Sequence, residues 1–227
     1  MNKLHHLIVT RIPRAIYHLL SNSTLYRYSF ESELKTVAGQ FSSLLDVGCG
    51  ARSPIKKFSK GMYTVGIDLF EPSIKESKQK GIHSKYLLMD MLEIDSKFNP
   101  KSFECVLSCD TLEHLTAEEG SRLLEKMETV AQKRVVIFTP NGFIHQDPYE
   151  GNHLQIHKSG WTVRDMKKRG YTVIGINGWR PLRSEGSQIR LYPAYVWEII
   201  SLITQILFAR RFPTTAFQIL CIKDVNK

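Results

Sequence analysis

The chain has 227 residues, 42% hydrophobic and 23% charged, with a formal net charge of +9. This length and apolar content support a sizeable core and argue against a disordered chain. The positive balance fits nucleic acid, an anionic membrane surface or an acidic substrate. Lysine and arginine are spread along the chain, however, and no dense basic run marks a dedicated partner.

In chain order, residues 1–40 form a basic lead-in. Leu4, Leu7, Ile8, Ile12, Ile16 and Leu19 recur at helical spacing, a face that could cover a cleft or rest on an anionic membrane. Arg11, Pro13 and Arg14 interrupt the stretch and no small-residue cleavage site follows, which argues against a secretory signal. Residues 41–178 alternate two patterns. Short apolar runs predict strands at Leu44–Val47, Tyr63–Ile67, Tyr86–Met89, Cys105–Leu107, Val135–Phe138 and Val173–Ile176. Between them lie helical segments with readable ends. Pro72–Lys80 closes on Gly81, and Thr116 to Glu119 reads as a capping box ahead of the apolar face Leu123, Leu124, Met127 and Val130. Thr162 to Asp165 opens another short helix.

Residues 179–227 hold an arginine-containing loop, an apolar helix over Tyr192–Ala209 and a last strand at Ala216–Ile222. The helix is apolar nearly all round, through Trp197, Ile199, Ile200, Leu202, Ile203, Ile206, Leu207 and Phe208. Pro193, Glu198 and Gln205 argue against a transmembrane span, so a core position, a homodimer interface or a lipid contact is expected. The sum is a single α/β domain over residues 1–227: a doubly wound, Rossmann-like, mostly parallel seven-stranded sheet, with an N-terminal helical segment and an apolar helix inserted before the last strand. Cys49, Cys105, Cys109 and Cys221 form no C-x-x-C pair and fall in apolar stretches, as reduced thiols of a cytoplasmic protein would.

The chemistry concentrates in Leu44-Leu-Asp-Val-Gly-Cys-Gly-Ala51, a buried strand ending in a glycine-rich turn that lets a ligand approach the backbone. Asp68 ends the next strand, where an acid can accept hydrogen bonds from ribose hydroxyls, and Asp90 ends the third. A dinucleotide site wants a third glycine where Ser53 stands, and Asp46 beside the turn would repel a pyrophosphate. A carboxylate there suits a cationic ligand such as a sulfonium with an amino group.

Together these segments resemble the class I S-adenosylmethionine-dependent methyltransferases, in particular the small type 11 members. Leu45 to Gly50 is similar to their motif I, and Asp68 and Asp90 to their ribose and adenine acids. Phe103 to Leu115 resembles the fourth strand with its loop, and Thr139 to Gly142 the turn after the fifth. The resemblance covers about residues 41–178. It implies S-adenosyl-L-methionine as cofactor, held by Asp46, Gly48, Cys49, Gly50, Asp68, Leu69, Asp90, Met91 and Cys109, with Leu69 or Phe70 against the adenine. The chain departs from the pattern after Gly50, where Ala51-Arg52-Ser53-Pro54 replaces a second glycine. Arg52 would hold the cofactor carboxylate or point to solvent.

Methyl transfer needs a base only if the acceptor must lose a proton. Histidines 114, 145, 153 and 157 are available, and His114, His153 and His157 are the candidate bases. The polar loop Thr139–Trp161 carries three of the four histidines and follows a strand at the ligand edge, where loops commonly bind substrate. His153 and His157 have the spacing of ligands on one helix face, but no third ligand is apparent, so no metal is expected. The expected reaction is methyl transfer to oxygen of a small-molecule, glycan or lipid-linked acceptor, in the cytoplasm or peripheral to a membrane. Nitrogen-acceptor motifs are absent after the fourth strand, where Asp110 to Glu113 stands, and no aromatic–basic pattern supports nucleic acid. A catalytically silent binding module and a nicotinamide-dependent oxidoreductase are the alternatives.

Overall fold

Each apolar run forms a strand, with ends displaced by a few residues. They are β1 Ser43–Val47, β2 Tyr63–Asp68, β3 Lys85–Leu88, β4 Phe103–Cys109, β5 Ala131–Pro140, β6 Thr172–Trp179 and β7 Ala216–Asp224. The computed structural model describes residues 27–148 and 152–225. The expected lead-in face, Leu4 to Leu19, lies outside them. The strands form one sheet in the order β3-β2-β1-β4-β5-β7-β6. The pairs from β3 through β5 are parallel, and β7 runs antiparallel to both β5 and β6.

Helices cover both faces, as the near-continuous apolar strands require. Side chains alternate along a strand, and β1 divides its leucines accordingly. Leu45 faces a cluster with Val65, Val106, Val135 and the helix Ala117–Val130, while Leu44 faces one with Leu107, Val136, Leu220 and the helix Phe30–Ala38. The helices are α1 Phe30–Ala38, α2 Glu71–Gln79, α3 Ile94–Lys97, α4 Ala117–Val130, α5 Val163–Lys168 and α6 Ala194–Thr204, which runs on through a wider turn at Gln205–Ala209. Both expected N-termini form. Thr116 Oγ1 accepts from Glu119 N at 3.2 Å while Thr116 N donates to Glu119 Oε2 at 3.0 Å, and Thr162 with Asp165 repeats the box. Leu123, Leu124, Met127 and Val130 of α4 are fully buried, so truncating any leucine there to alanine costs about 2–5 kcal/mol.

Strand order reverses between β1, which continues toward β2, and β4, which continues toward β5. The carboxyl ends of the strands therefore open a crevice at this switch point, where such sheets bind ligands.

Candidate active site

The crevice is a cleft of about 490 Å³, and Asp46, Gly48, Cys49, Gly50, Asp68, Leu69, Asp90, Met91 and Cys109 all line it. Its floor is the turn after β1. Gly48 has φ +69°, and a Cβ there would lie 2.4 Å from Thr111 Cγ2. Only glycine fits both the left-handed backbone and that approach. Gly50 has φ +55°, but no heavy atom lies within 4 Å of where its Cβ would be, so this edge of the turn faces open cleft.

Asp68 ties the turn to β2. Its Oδ2 accepts from Gly50 N and its Oδ1 from Phe70 N, each at 2.8 Å. Burial raises its pKa above the ordinary 3.8, against the pull of those two N–H groups. Asp90 accepts from Leu92 N at 2.8 Å and so starts a short helical turn at the cleft wall.

Asp46 lines the cleft and is also held from behind. Its Oδ2 accepts from Ser53 Oγ at 2.5 Å and contacts His83 Nε2 at 2.9 Å, and the carboxylate is almost wholly enclosed. It braces the turn from behind. Ser53, where a third glycine was wanted, is the clasp that closes the turn onto Asp46. Sequence reading missed His83, although Gly66 was a signal: a glycine inside a strand marks a close approach, and a Cβ at Gly66 would lie 2.8 Å from the His83 ring. Arg52 projects outward at the rim, 3.5 Å from Glu76.

A second cavity of about 190 Å³ adjoins the cleft, and Asp110, His114 and Gln155 line both. Its other walls include Glu113, Gln146, His157 and Gln218. The Thr139–Trp161 loop reaches it because Glu113 O accepts from Lys158 N at 2.8 Å and Ser159 N at 3.1 Å. Trp161 anchors the loop end in the core, against Gly120, where a Cβ would lie 2.5 Å from its ring. The ring of His157 is thereby brought to 4.9 Å from that of His114, centroid to centroid.

Glu113 is buried and accepts from Thr139 Oγ1 at 3.0 Å, and Asp110 accepts from Gln218 Nε2 at 2.8 Å. Enclosure pushes the Glu113 carboxyl pKa well up, and the neighbouring Asp110 charge adds to the rise. Burial, with the neighbouring His157, lowers His114 to about 4. That ring is neutral at pH 7 and a weaker base than a free imidazole. Of the other candidate bases, His157 lines the second cavity, whereas His153 is exposed and lines neither cavity, because it opens the turn His153–Gln155 on the outer side of the loop. His145 is also exposed, 3.2 Å from Asp147. Sequence reasoning passed over Asp110 and Glu113, which line the second cavity, and Thr139, which holds Glu113. The signal for the first two was a pair of acids in the loop after β4, beside a histidine already under suspicion.

The donor set fits S-adenosylmethionine. Ribose hydroxyls, an ammonium and an adenine amine all donate, and the cleft offers Asp68 and Asp90 to accept, with glycine backbone at the turn. Crevice, turn and acids together define a class I methyltransferase that uses S-adenosylmethionine. Residues 45–139 match the family model described as a methyltransferase domain, type 11. It is 24% identical over 153 residues to an uncharacterized methyltransferase of Geobacillus sp. (strain WCH70), covering 65% of this chain and 71% of that one. It is 23% identical over 174 residues to the magnesium-protoporphyrin O-methyltransferase of Synechocystis sp., covering 68% and 70%. Among solved structures, a putative S-adenosylmethionine-dependent methyltransferase from Listeria monocytogenes shares the fold with a TM-score of 0.55 at 18% identity, over 86% of this chain and 97% of that one. One from Archaeoglobus fulgidus does so with a TM-score of 0.53 at 17% identity, over 92% and 99%.

Proposed function

We propose that the acceptor is a hydroxyl-bearing molecule whose reacting end enters the second cavity, and that the methyl group goes to its oxygen. The observation that carries this is the shared wall: Asp110, His114 and Gln155 separate the second cavity from the cofactor cleft. When bound, S-adenosylmethionine supplies a methyl group on a sulfonium sulfur. The chain's own residues orient the acceptor and exclude water, which accounts for much of the catalysis in an in-line transfer. Asp110, Glu113, Gln146 and Gln218 offer hydrogen-bond partners to a polyol or glycan end. The cavity is small beside a typical ligand site, so the bulk of a larger acceptor stays outside.

The acceptor's carrier is a membrane lipid in this reading. Tyr192 is 87% exposed, Leu207 69% and Phe212 61%, on and beside α6. Arg190 and Arg211 flank them, exposed and without an ion pair among the described residues. Apolar anchors rimmed by free cations suit an anionic bilayer surface. No helix among the described residues is long and apolar enough to cross a membrane.

The test is transfer of labelled methyl from S-adenosylmethionine into separated aqueous and lipid extracts of the source cells. Label in a lipid-linked glycan as a base-stable methyl ether is the expected result. Label confined to RNA or protein, or to nitrogen, would overturn the assignment, and cofactor binding without any transfer would favour a silent binding module.

A further inference from the structure

We propose that Glu113, His114 and His157 form a binding site for a divalent transition-metal cation at the mouth of the second cavity. A carboxylate oxygen of Glu113 and one ring nitrogen from each histidine lie within 4.8 Å of one another. Two imidazoles and one carboxylate on one side of a cation leave positions open for an exogenous oxygen. Ligand bonds to such a cation are roughly 2.0–2.2 Å, so modest side-chain rotation draws the three atoms together.

The ligands are also held as metal ligands are held. The Nδ1 atoms of His157 and His114 lie 2.6 Å from Ile144 O and 3.4 Å from Ile156 O. Donation to those carbonyls fixes each ring and places the lone pair on Nε2. Thr139 Oγ1 orients Glu113 in the same way. The two histidines are 43 positions apart (157 minus 114), and the loop that carries His157 is pinned to the Glu113 carbonyl itself. The ligand set is therefore part of the same hydrogen-bonded unit.

Charge supplies the second argument. Glu113 is 2% exposed, yet it has no ion pair among the described residues. Buried carboxylates are normally paired or bound to a metal. A divalent cation would balance it. The mixed nitrogen and oxygen donors select Zn²⁺, Fe²⁺, Co²⁺ or Mn²⁺ over Mg²⁺ or Ca²⁺, which favour oxygen alone.

The role of the cation rests on reading the second cavity as the acceptor site, although its binding does not. A hydroxyl ligated there becomes more acidic and releases its proton to water, leaving an oxygen nucleophile.

Titration of the full chain with Co²⁺, read by visible ligand-field absorbance, tests the proposal. One saturable site is expected. His157→Ala and Glu113→Gln should each weaken it by more than about tenfold, and Thr139→Val by about tenfold or more as the loss of an orienting partner. His153→Ala and His145→Ala should leave it unchanged. Unaltered S-adenosylhomocysteine affinity in each variant shows that it is folded. No absorbance, or Co²⁺ binding indifferent to His157→Ala, overturns the proposal. Co²⁺ binding with labelled methyl found only on nitrogen would retain the metal site and remove the acceptor reading; the converse pattern would do the reverse.

Discussion

Adding one methyl group at Gly48 and one at Gly50 separates the two tasks of the turn after β1. At Gly48 alanine meets two costs. The backbone sits at φ +69°, where an L residue loses about 1–2 kcal/mol, and its Cβ would lie 2.4 and 2.5 Å from the Thr111 side chain. Overpacking of that kind costs about 1–3 kcal/mol, so Gly48→Ala is expected to lower stability by about 2–5 kcal/mol. At Gly50, with φ +55° and no atom within 4 Å, only the backbone cost of about 1–2 kcal/mol applies. Its methyl group instead projects toward the cleft, so S-adenosylhomocysteine affinity should fall by at least about tenfold, or 1.4 kcal/mol. Urea denaturation reads the first effect and calorimetric titration the second. The clash has its own control. Thr111→Ala alone loses a hydroxyl that donates to Cys109 O at 2.9 Å, about 1 kcal/mol. Combined with Gly48→Ala it should restore about 1–3 kcal/mol relative to additivity. Equal destabilisation by the two glycine variants, or strict additivity with Thr111→Ala, would refute the reasoning.

Three further outcomes follow from the same geometry. His83→Ala removes a partner of the enclosed Asp46 and leaves a cavity against Gly66, so stability measured in urea should drop by about 3 kcal/mol. The Asp68 carboxyl lies above 3.8 because burial disfavours its charge. Its contribution to folding is thus fully present below pH 3.8 and is lost as pH rises through the raised value. Cofactor affinity has the opposite sign, since the ionised form is the better acceptor. Calorimetric titrations carried into the acid range should show S-adenosylhomocysteine affinity falling through that raised pKa, with Asp68→Asn weak at every pH. Leu207→Glu combined with Phe212→Glu alters two exposed side chains, so stability should stay within about 0.5 kcal/mol per site. Partition onto vesicles of anionic phospholipid should fall by at least about tenfold, and unchanged partition would remove the membrane from the proposed function.

What could be read in the sequence was what local spacing encodes. Strand β1, the glycine turn and the acids at the ends of β2 and β3 are short-range patterns, and their residues line one cleft because parallel strands bring their carboxyl ends together. The two capping boxes need only four consecutive residues each. The second cavity was legible only in part, because it depends on where a long loop returns. His114 and His157 meet through Lys158 and Ser159 donating to the Glu113 carbonyl, a main-chain contact that leaves no trace in residue type. The sequence spacing pointed to His153 with His157, and that pairing fails because residues 153–155 make a tight turn rather than an α-helix. Asp46 was read as part of the turn, but its bond to His83 was not legible, since that partner comes from 37 residues downstream.

The late helix shows why composition alone could not decide between core and surface. β6 is an edge strand with an irregularity between Ile176 and Trp179, so its main chain needs partners from outside the sheet. Gln205 provides them: its Nε2 donates to Gly175 O at 2.7 Å and its Oε1 accepts from Gly178 N at 2.9 Å. Both glycines leave room for this contact, since a Cβ would lie 2.0 Å from Ala209 O or 2.3 Å from Ser201 O. The helix therefore turns Ser201, Gln205 and Ala209 inward. Polar groups serve the sheet edge, and Tyr195, Val196, Ile203 and Leu207 are left exposed. The exposed apolar face is thus a consequence of how the edge is covered, and an apolar partner is what would relieve it.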